Sequence, residues 1–277
     1  MKIGLPEKFM ICVLPFLFLP APAAAKPATA FEPGERLEYV LKWSGIAAGD
    51  SVMEIVKGEW IDGAHLYKVI STAESRSLVD VIYKVRNHYE THIHPIDGLT
   101  RKYVFDMKEG KKKQRRILFF DQNNLTVRRV LVKKSGDQTM VYDIPPQTQD
   151  NLSALYALRN EHLEVGDVFD YLVFENKKNW ELIIEVIAQE DIEVKAGRFR
   201  ALVVHPKLKF EGIFRRKGEL HVYMTDDQWH IPILMKSKVK IGNIDAELVR
   251  FKLGGEEKTI PSMLPPKKDK LPPEEDD

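Results

Sequence analysis

Along most of this chain, side-chain character alternates every second residue, and few folds tolerate that pattern. Leu37, Tyr39 and Leu41 alternate with Glu38, Val40 and Lys42, and Trp43 continues the series. Tyr103, Phe105 and Met107 alternate in the same way with Val104, Asp106 and Lys108. A period of two belongs to the extended strand, whose successive side chains point to opposite faces. Turn signals cut the runs apart: Gly45 with Gly49-Asp50, the stretch from Gly58 to Gly63, Pro95 with Asp97-Gly98, Glu109-Gly110, Asp121 to Asn124, and Ser135-Gly136-Asp137. Short strands broken this often predict a β-meander of the sandwich or barrel type. Pro145-Pro146 ends the first series. Residues 151–162 read as one helix, with Asp150 as N-cap, an apolar stripe of Leu152, Leu155, Tyr156 and Leu163, and Gly166 after its end. Ser77 to Ile82 reads as either a helical turn or the start of a strand. Strands resume at Phe169 and run to Leu253. The expected fold is all-β and mainly antiparallel: a β-sandwich or incomplete half barrel with one packed helix near 151–162.

The chain divides into four parts. Lys2 and Lys8 flank the start of an apolar run, Phe9 to Leu19, broken by Pro15 and followed by Ala23-Ala24-Ala25. This is the layout of a secretory signal peptide cut after Ala25, and the run is too short to span a bilayer. Residues 26–33 read as a flexible lead, 34–253 as the β-rich domain, and 254–277 as a disordered tail rich in Pro and charge. Gly34-Glu35 precedes Tyr39 by the same spacing as Gly166-Asp167 precedes Tyr171. The matched spacing suggests two similar β-halves, 34–144 and 166–253, joined by the helix.

Composition removes several function classes. The sole cysteine, Cys12, lies inside the leader, so the mature chain is expected to lack disulfides, thiolate catalysis and cysteine-bound metal. Without Lys2, Lys8 and Glu7, 40 basic residues balance 40 acidic ones, and no net field favours nucleic acid. Charge is nonetheless segregated: 101–134 is strongly basic and 135–194 strongly acidic, placing opposite charges on two faces or drawing the blocks together. No nucleophile elbow, phosphate loop, H-E-x-x-H or dinucleotide glycine pattern is present. The adjacent carboxylates Asp226-Asp227 and Glu256-Glu257 would point to opposite faces of a strand, so neither makes an acid–base dyad. No catalytic residue and no cofactor are expected.

Three sets of residues are candidates for binding. His88, His92 and His94, spaced by two around Glu90, would share one strand face as weak metal ligands, but a half-exposed strand shows its polar residues on one face anyway and no third ligand outside the strand is evident, so a solvent face is the better account. Lys111, Lys112, Lys113, Arg115 and Arg116 crowd a hairpin tip, with Tyr103, Phe105, Phe119 and Phe120 behind it. Such a tip suits anionic headgroups or acidic glycans, or serves only solubility. Trp43, Tyr83, Tyr103, Phe105, Tyr171 and Trp180 are aromatics that would either line an apolar pocket in a curved sheet or simply fill the core.

Several segments in order carry a resemblance. They are Gly34-Glu35-x-Leu37-x-Tyr39 with Trp43-Ser44-Gly45-Ile46 and Ala48-Gly49, then Asp150-x-Leu152-Ser153-Ala154-Leu155-Tyr156 with Leu158-Arg159. Ala196-Gly197-x-Phe199 and Thr225-Asp226-Asp227 with Ile231-Pro232-Ile233 complete the set. From about Gly34 to Leu253 the chain resembles the bacterial family known as domain of unknown function 3108. The resemblance implies an exported, β-rich envelope protein and carries over no catalytic residue. The function expected is non-enzymatic: binding or carrying a lipid or lipid-linked glycan in a curved sheet, in the periplasm or, alternatively, as a secreted protein. The other readings are an adaptor with protein partners in an envelope assembly and a hydrolase of envelope polymer. No nucleic acid partner and no transmembrane segment in the mature chain are expected.

Overall fold

A computed structural model describes residues 29–210, 213–214, 219–238, 242–255 and 260–265. The leader at 1–25 and the end of the tail lie outside the described residues. The first run of strands is β1 (Arg36–Trp43), β2 (Ile46–Ile61) and β3 (Ala64–Ser75), then helix α1 (Ser77–Tyr83), then β4 (Arg86–Ile93), β5 (Thr100–Glu109), β6 (Lys112–Asp121), β7 (Thr126–Val132) and β8 (Gln138–Asp143). Helix α2 (Asn151–Leu158) follows. The second run is β9 (Val168–Glu175), β10 (Lys178–Val194), β11 (Gly197–Phe210), β12 (Ile213–Phe214), β13 (Leu220–Thr225), β14 (Pro232–Lys238) and β15 (Asn243–Lys252), with β16 (Met263–Leu264) last.

All the strands join one antiparallel sheet in the order β8-β7-β6-β5-β4-β3-β2-β1-β15-β14-β13-β11-β10-β9, with β12 and β16 paired to β11. Two meanders therefore meet where β1 pairs with β15, from Arg36 opposite Lys252 to Trp43 opposite Ile244. The sheet curls without closing. Its outer strands, β8 and β9, approach across a seam: Tyr142 and Phe174 stack with ring centres 5.4 Å apart, and the Asn179 amide donates to the Asp143 carbonyl at 3.0 Å. The chain after β8 fills part of this gap. Gln149 N–H donates to Leu172 O at 2.7 Å, and Phe174 N–H to Gln149 O at 3.0 Å, a single parallel bridge against β9. The expected half barrel with one packed helix is thus the observed architecture.

The interior of the curve is filled. Helix α2 lies within it, with Ala154, Tyr156 and Leu158 fully buried. Tyr156 joins Leu37, Tyr39, Ile55, Val69, Phe199, Ile231, Ile233 and Leu248 in the main cluster. Asp150 caps the helix as expected. Its carboxylate accepts from Leu152 N–H at 2.8 Å and Ser153 N–H at 3.0 Å, and Ser153 Oγ accepts from Asp150 N–H at 3.0 Å. This reciprocal box satisfies N–H groups that a helix start otherwise leaves open.

Several boundaries differ from the sequence reading. Gly49-Asp50 does not turn. The turn is at Ser44-Gly45, both at positive φ (47° and 87°), and β2 runs on through Gly49. A Cβ at Gly49 would lie 2.5 Å from Glu74 O, so this glycine admits a close strand approach. The stretch from Gly58 to Gly63 is likewise strand to Ile61, with a two-residue turn at Asp62-Gly63. Residues 29–33 are no loose lead: Ala30 and Phe31 are buried, and the Phe31 ring stands edge-on to Tyr156 at 4.8 Å. Part of the expected tail is ordered too, because Met263 and Leu264 pair with β11 and Ser262 Oγ donates to Asp227 at 2.6 Å. In both places a few apolar residues find a groove to fill, which offsets the entropy of ordering.

Candidate functional site

Antiparallel pairing sorts the connections to the two ends of the strands. The links β1–β2, β3–β4, β5–β6, β7–β8, β9–β10 and β14–β15 turn at one end. The links β2–β3, β4–β5, β6–β7, β10–β11 and β13–β14 turn at the other. The first end is basic, with exposed Lys84, Lys108, Lys111, Lys112, Lys113, Lys133, Lys134, Lys177 and Lys178. The second end is acidic, with Asp62, Asp97, Asp121, Asp226 and Asp227, and Glu161, Glu164 and Asp167 ahead of β9. Balanced net charge thus conceals a strong polarity along the strands.

Helix α1 sits at the basic end, and its sequence SLVDVIY explains little of its own helicity. Seven residues rich in β-branched side chains form a weak helix. Charged flanks hold it. Arg76 forks onto Asp50 at 2.9 and 2.6 Å, and Arg86 reaches Asp80 at 2.6 Å, which keeps the Asp80 carboxyl below its usual pKa. The helix buries none of its residues: Leu78, Val81 and Ile82 are 88%, 86% and 80% exposed. It rests directly on the lysine hairpin. Gly110 N–H donates to Lys84 O at 2.8 Å, Val85 bridges Glu109, and the Tyr83 ring lies over Gly110. An exposed aliphatic knob and a lysine cluster are therefore neighbours on one rim. Lys111, Lys112 and Lys113 make no ion pair with any described residue.

The basic tip expected from sequence is in place, with two corrections. Arg116 does not belong to it: its side chain turns inward, is buried, and pairs with Glu175 at 2.8 Å. The apolar partner of the tip is α1 and not the strand aromatics. Tyr103 and Phe120 are core, Phe105 stacks on Tyr89 at 5.1 Å beneath Arg116, and Phe119 lies under Arg128 at 4.1 Å. Ser77 to Ile82 reads from sequence as a helical turn or the start of a strand, and neither reading says that Leu78, Val81 and Ile82 face solvent. The signal available was its place between Arg76 and Arg86, which find carboxylates at Asp50 and Asp80.

The six candidate ligand-binding aromatics do not converge. Trp43 is exposed at the β1–β2 turn and Tyr83 lies on α1, while Tyr103, Tyr171 and Trp180 pack in three different clusters. Tyr171 borders an open cleft of about 340 Å³ on the outer face of β9 to β11, together with Asp170, Leu172, Glu181, Ile183 and Lys209. The histidines divide as well. His88 and His92 share a face with Glu90, at 2.7 and 3.5 Å, but Lys68 also occupies that carboxylate at 2.9 Å. Burial alone would raise the Glu90 pKa; His88 and Lys68 instead hold it down to about 2. His94 lies in the β4–β5 turn near Asp62 and Asp97. Among the described residues no group of three or more His, Cys, Asp or Glu is placed to hold a metal.

The motif residues quoted above meet at one buried point. Arg159, just past α2, forks onto Glu35 at 2.6 and 2.8 Å, and both side chains are 1% exposed. Arg159 Nε also donates to Trp229 O at 3.1 Å, and Tyr39 donates its hydroxyl to Pro232 O at 2.7 Å. Burial would lower the Arg159 pKa, but Glu35 more than reverses this, so the guanidinium stays charged. The pair ties the helix to β1 and to the β13–β14 turn. It is enclosed, so it holds the fold together and cannot meet a ligand.

The fold and rim define a class: an antiparallel, barrel-like protein whose strand turns present an amphiphilic surface. Within it, the chain belongs to the family described as protein of unknown function DUF3108, whose model matches residues 38–249. Among solved structures, it is similar to a β-barrel-like protein of domain of unknown function DUF1849 from Brucella abortus. That match has a TM-score of 0.56 at 12% identity and covers 82% of this chain and 100% of that one. A Bacteroides fragilis protein of YmcC-like fold, provisionally described as exported, aligns with a TM-score of 0.33 at 9% identity, over 81% of this chain and 98% of that one. No curated protein matches the sequence. Among the described residues no helix is long and apolar enough to cross a membrane.

Proposed function

We propose that this protein is a non-enzymatic envelope factor that docks its basic rim on an anionic lipid surface. The observation that carries the reading is the position of exposed Leu78, Val81 and Ile82 on a helix whose C-terminal end, through Lys84, Val85 and Tyr83, rests on the β5–β6 tip that carries Lys111, Lys112 and Lys113. A soluble monomer rarely leaves three neighbouring aliphatics this exposed without a partner. Lipid suits both halves of the patch: aliphatic side chains enter the acyl boundary, and each lysine near an anionic surface adds about 1 kcal/mol. The acidic opposite end orients the molecule, turning away from the same surface. Because the sheet's interior is packed, this reading puts lipid contact at the rim and not inside the curve. Export by the sequence-predicted leader, with the periplasm as destination, belongs to the same proposal.

Vesicle co-sedimentation tests it. The intact protein should bind vesicles containing phosphatidylglycerol and not purely zwitterionic ones, more weakly as salt rises. L78E/V81E/I82E and K111E/K112E/K113E should each reduce binding at least tenfold. Binding indifferent to lipid charge and to both variants would sink the proposal. A second reading, the adaptor, draws on the edge strand β8. Among the described residues no strand pairs with its outer edge, and Met140 and Val141 are exposed on it, as suits addition of a partner strand. A photocrosslinker at Val141 that captures no partner in whole cells would remove it.

A further inference from the structure

The basic tip accounts for the lysines of the first meander but not for two arginines beneath it. Leu118 stands opposite Arg129 and Arg116 opposite Leu131, so Arg116 and Arg129 are diagonal neighbours on β6 and β7. They share the inner face with the core residues Leu118 and Val127. Both are nearly fully buried, at 5% and 6% exposure. Arg116 is provided for. It pairs with Glu175 at 2.8 Å, donates to Asn176 Oδ1 at 3.3 Å, and lies 3.8 Å from the centre of the Phe105 ring. The other Glu175 oxygen accepts from the Asn151 amide at 2.9 Å. Arg129 makes no hydrogen bond or ion pair with any described residue.

A guanidinium cannot escape burial by releasing its proton, and an uncompensated buried charge is strongly unfavourable. Arg116 has a carboxylate partner in Glu175, whereas Arg129 has none among the described residues. Its donors are not sealed from water, because none of its nitrogens is among the buried, unpartnered atoms. Solvent lies close at hand, since Met140, directly across from Arg129 on the edge strand, is 47% exposed.

We propose that Arg129, with Arg116 beside it, binds a phosphate group at the seam where the sheet fails to close. The planar fork of arginine donors matches a phosphate's oxygens two at a time, and one such anion supplies the partner that Arg129 lacks. The same chemistry is offered by free phosphate and by a phospholipid headgroup. The site is separate from the lysine rim and stands without the vesicle reading.

The test measures thermal unfolding and titration calorimetry of the full-length mature protein, with sodium phosphate, with dihexanoyl phosphatidylglycerol below its micelle concentration, and with sodium chloride at equal ionic strength. Phosphate or the lipid, but not chloride, should raise the melting temperature. In R129M the bound-state stabilisation should disappear and the affinity fall at least tenfold, while the free variant melts no lower than wild type. Response to phosphate identifies a free anion; response to the short-chain lipid alone identifies a headgroup. Should R129M fold poorly, the Arg129 side-chain 15Nε resonance of the wild type gives the same answer by shifting with phosphate. K111E/K112E/K113E should keep this response even though it loses vesicles. No response to either phosphate compound beyond chloride, or an unchanged response in R129M, would overturn the site.

Discussion

In each meander a left-handed glycine leads the chain into the sheet. Gly34 has φ 101° and donates to Ile55 O at 2.8 Å, while Ile55 N–H returns to Glu35 O at 2.9 Å. Gly166 has φ 104° and donates to Val186 O at 2.8 Å, while Val186 N–H returns to Asp167 O at 2.9 Å. The backbones match, but the acids at the next position do not behave alike. Glu35 turns inward to Arg159, whereas Asp167 stays at the surface and accepts Glu164 N–H at 2.8 Å. One backbone device thus serves both meanders, and a single side chain decides which of them locks the helix in place.

The largest effect should come from breaking that lock. E35Q or R159M leaves one buried charge without its partner and should cost about 3–5 kcal/mol, read from urea unfolding. D167N in the second meander should cost under about 1 kcal/mol, as exposed contacts usually do. E35M/R159M should recover much of the loss, because the apolar pair strands no charge. Equal losses for Glu35 and Asp167 would remove the contrast. Next come the glycines themselves. G34A and G166A each force an L-residue into the left-handed region and should each cost about 1–2 kcal/mol. A large inequality would show that the two lead-ins are not equivalent.

A smaller effect is pH-dependent. Burial holds His92 in the first meander and His230 in the second below the ordinary value of 6.5. His230 Nδ1 faces the Arg159 carbonyl at 3.0 Å, and a carbonyl only accepts, so that nitrogen carries the proton of a neutral ring. Below about pH 6.5 the unfolded chain binds protons that the folded chain refuses, so stability present above that pH declines as pH falls. H92Q and H230Q should each flatten part of this decline. The first meander should show a further loss that the second lacks. With its carboxyl held down to about 2, Glu90 contributes stability above the usual carboxylate range, and that contribution is lost as pH falls from there toward 2. E90Q should shrink this lower step without removing it, because Asp80, Asp50 and Glu38 in the same meander are also held below the usual carboxylate range by their arginine partners.

The two meanders were unequally legible in sequence. Period-two alternation from Leu37 and from Tyr103 found β1 and β5, and Asp150 marked the start of α2, because these depend on local pattern and local hydrogen bonds. Turns at Gly49 and Gly58 were misread, since a glycine admitting a close strand looks in sequence like a glycine that turns. The Glu35–Arg159 pair spans 124 positions, and no local period reports such a contact. Arg116 looked like one more cation of the lysine tip. Only the register, which sends alternate residues of β6 to opposite faces, separates it from Arg115.

The smallest effect on the fold should come from the residues with the largest expected role at a surface. Lys111, Lys112 and Lys113 are exposed and make no ion pair with any described residue, so K111E/K112E/K113E should change stability by no more than about 0.5 kcal/mol. A similar reversal at the acidic end, D226K/D227K, should not be neutral. Asp227 accepts from Thr225 Oγ1 at 2.9 Å, Trp229 N–H at 3.0 Å and Ser262 Oγ at 2.6 Å, so its carboxylate builds the β13–β14 turn. The acids of one end are partly structural, whereas Lys111, Lys112 and Lys113 at the other make no ion pair with any described residue. Thermal unfolding of both triple and double variants decides the matter. A lysine reversal that destabilises as much as D226K/D227K would show that the basic rim serves the fold, and would leave the lipid surface without its electrostatic partner.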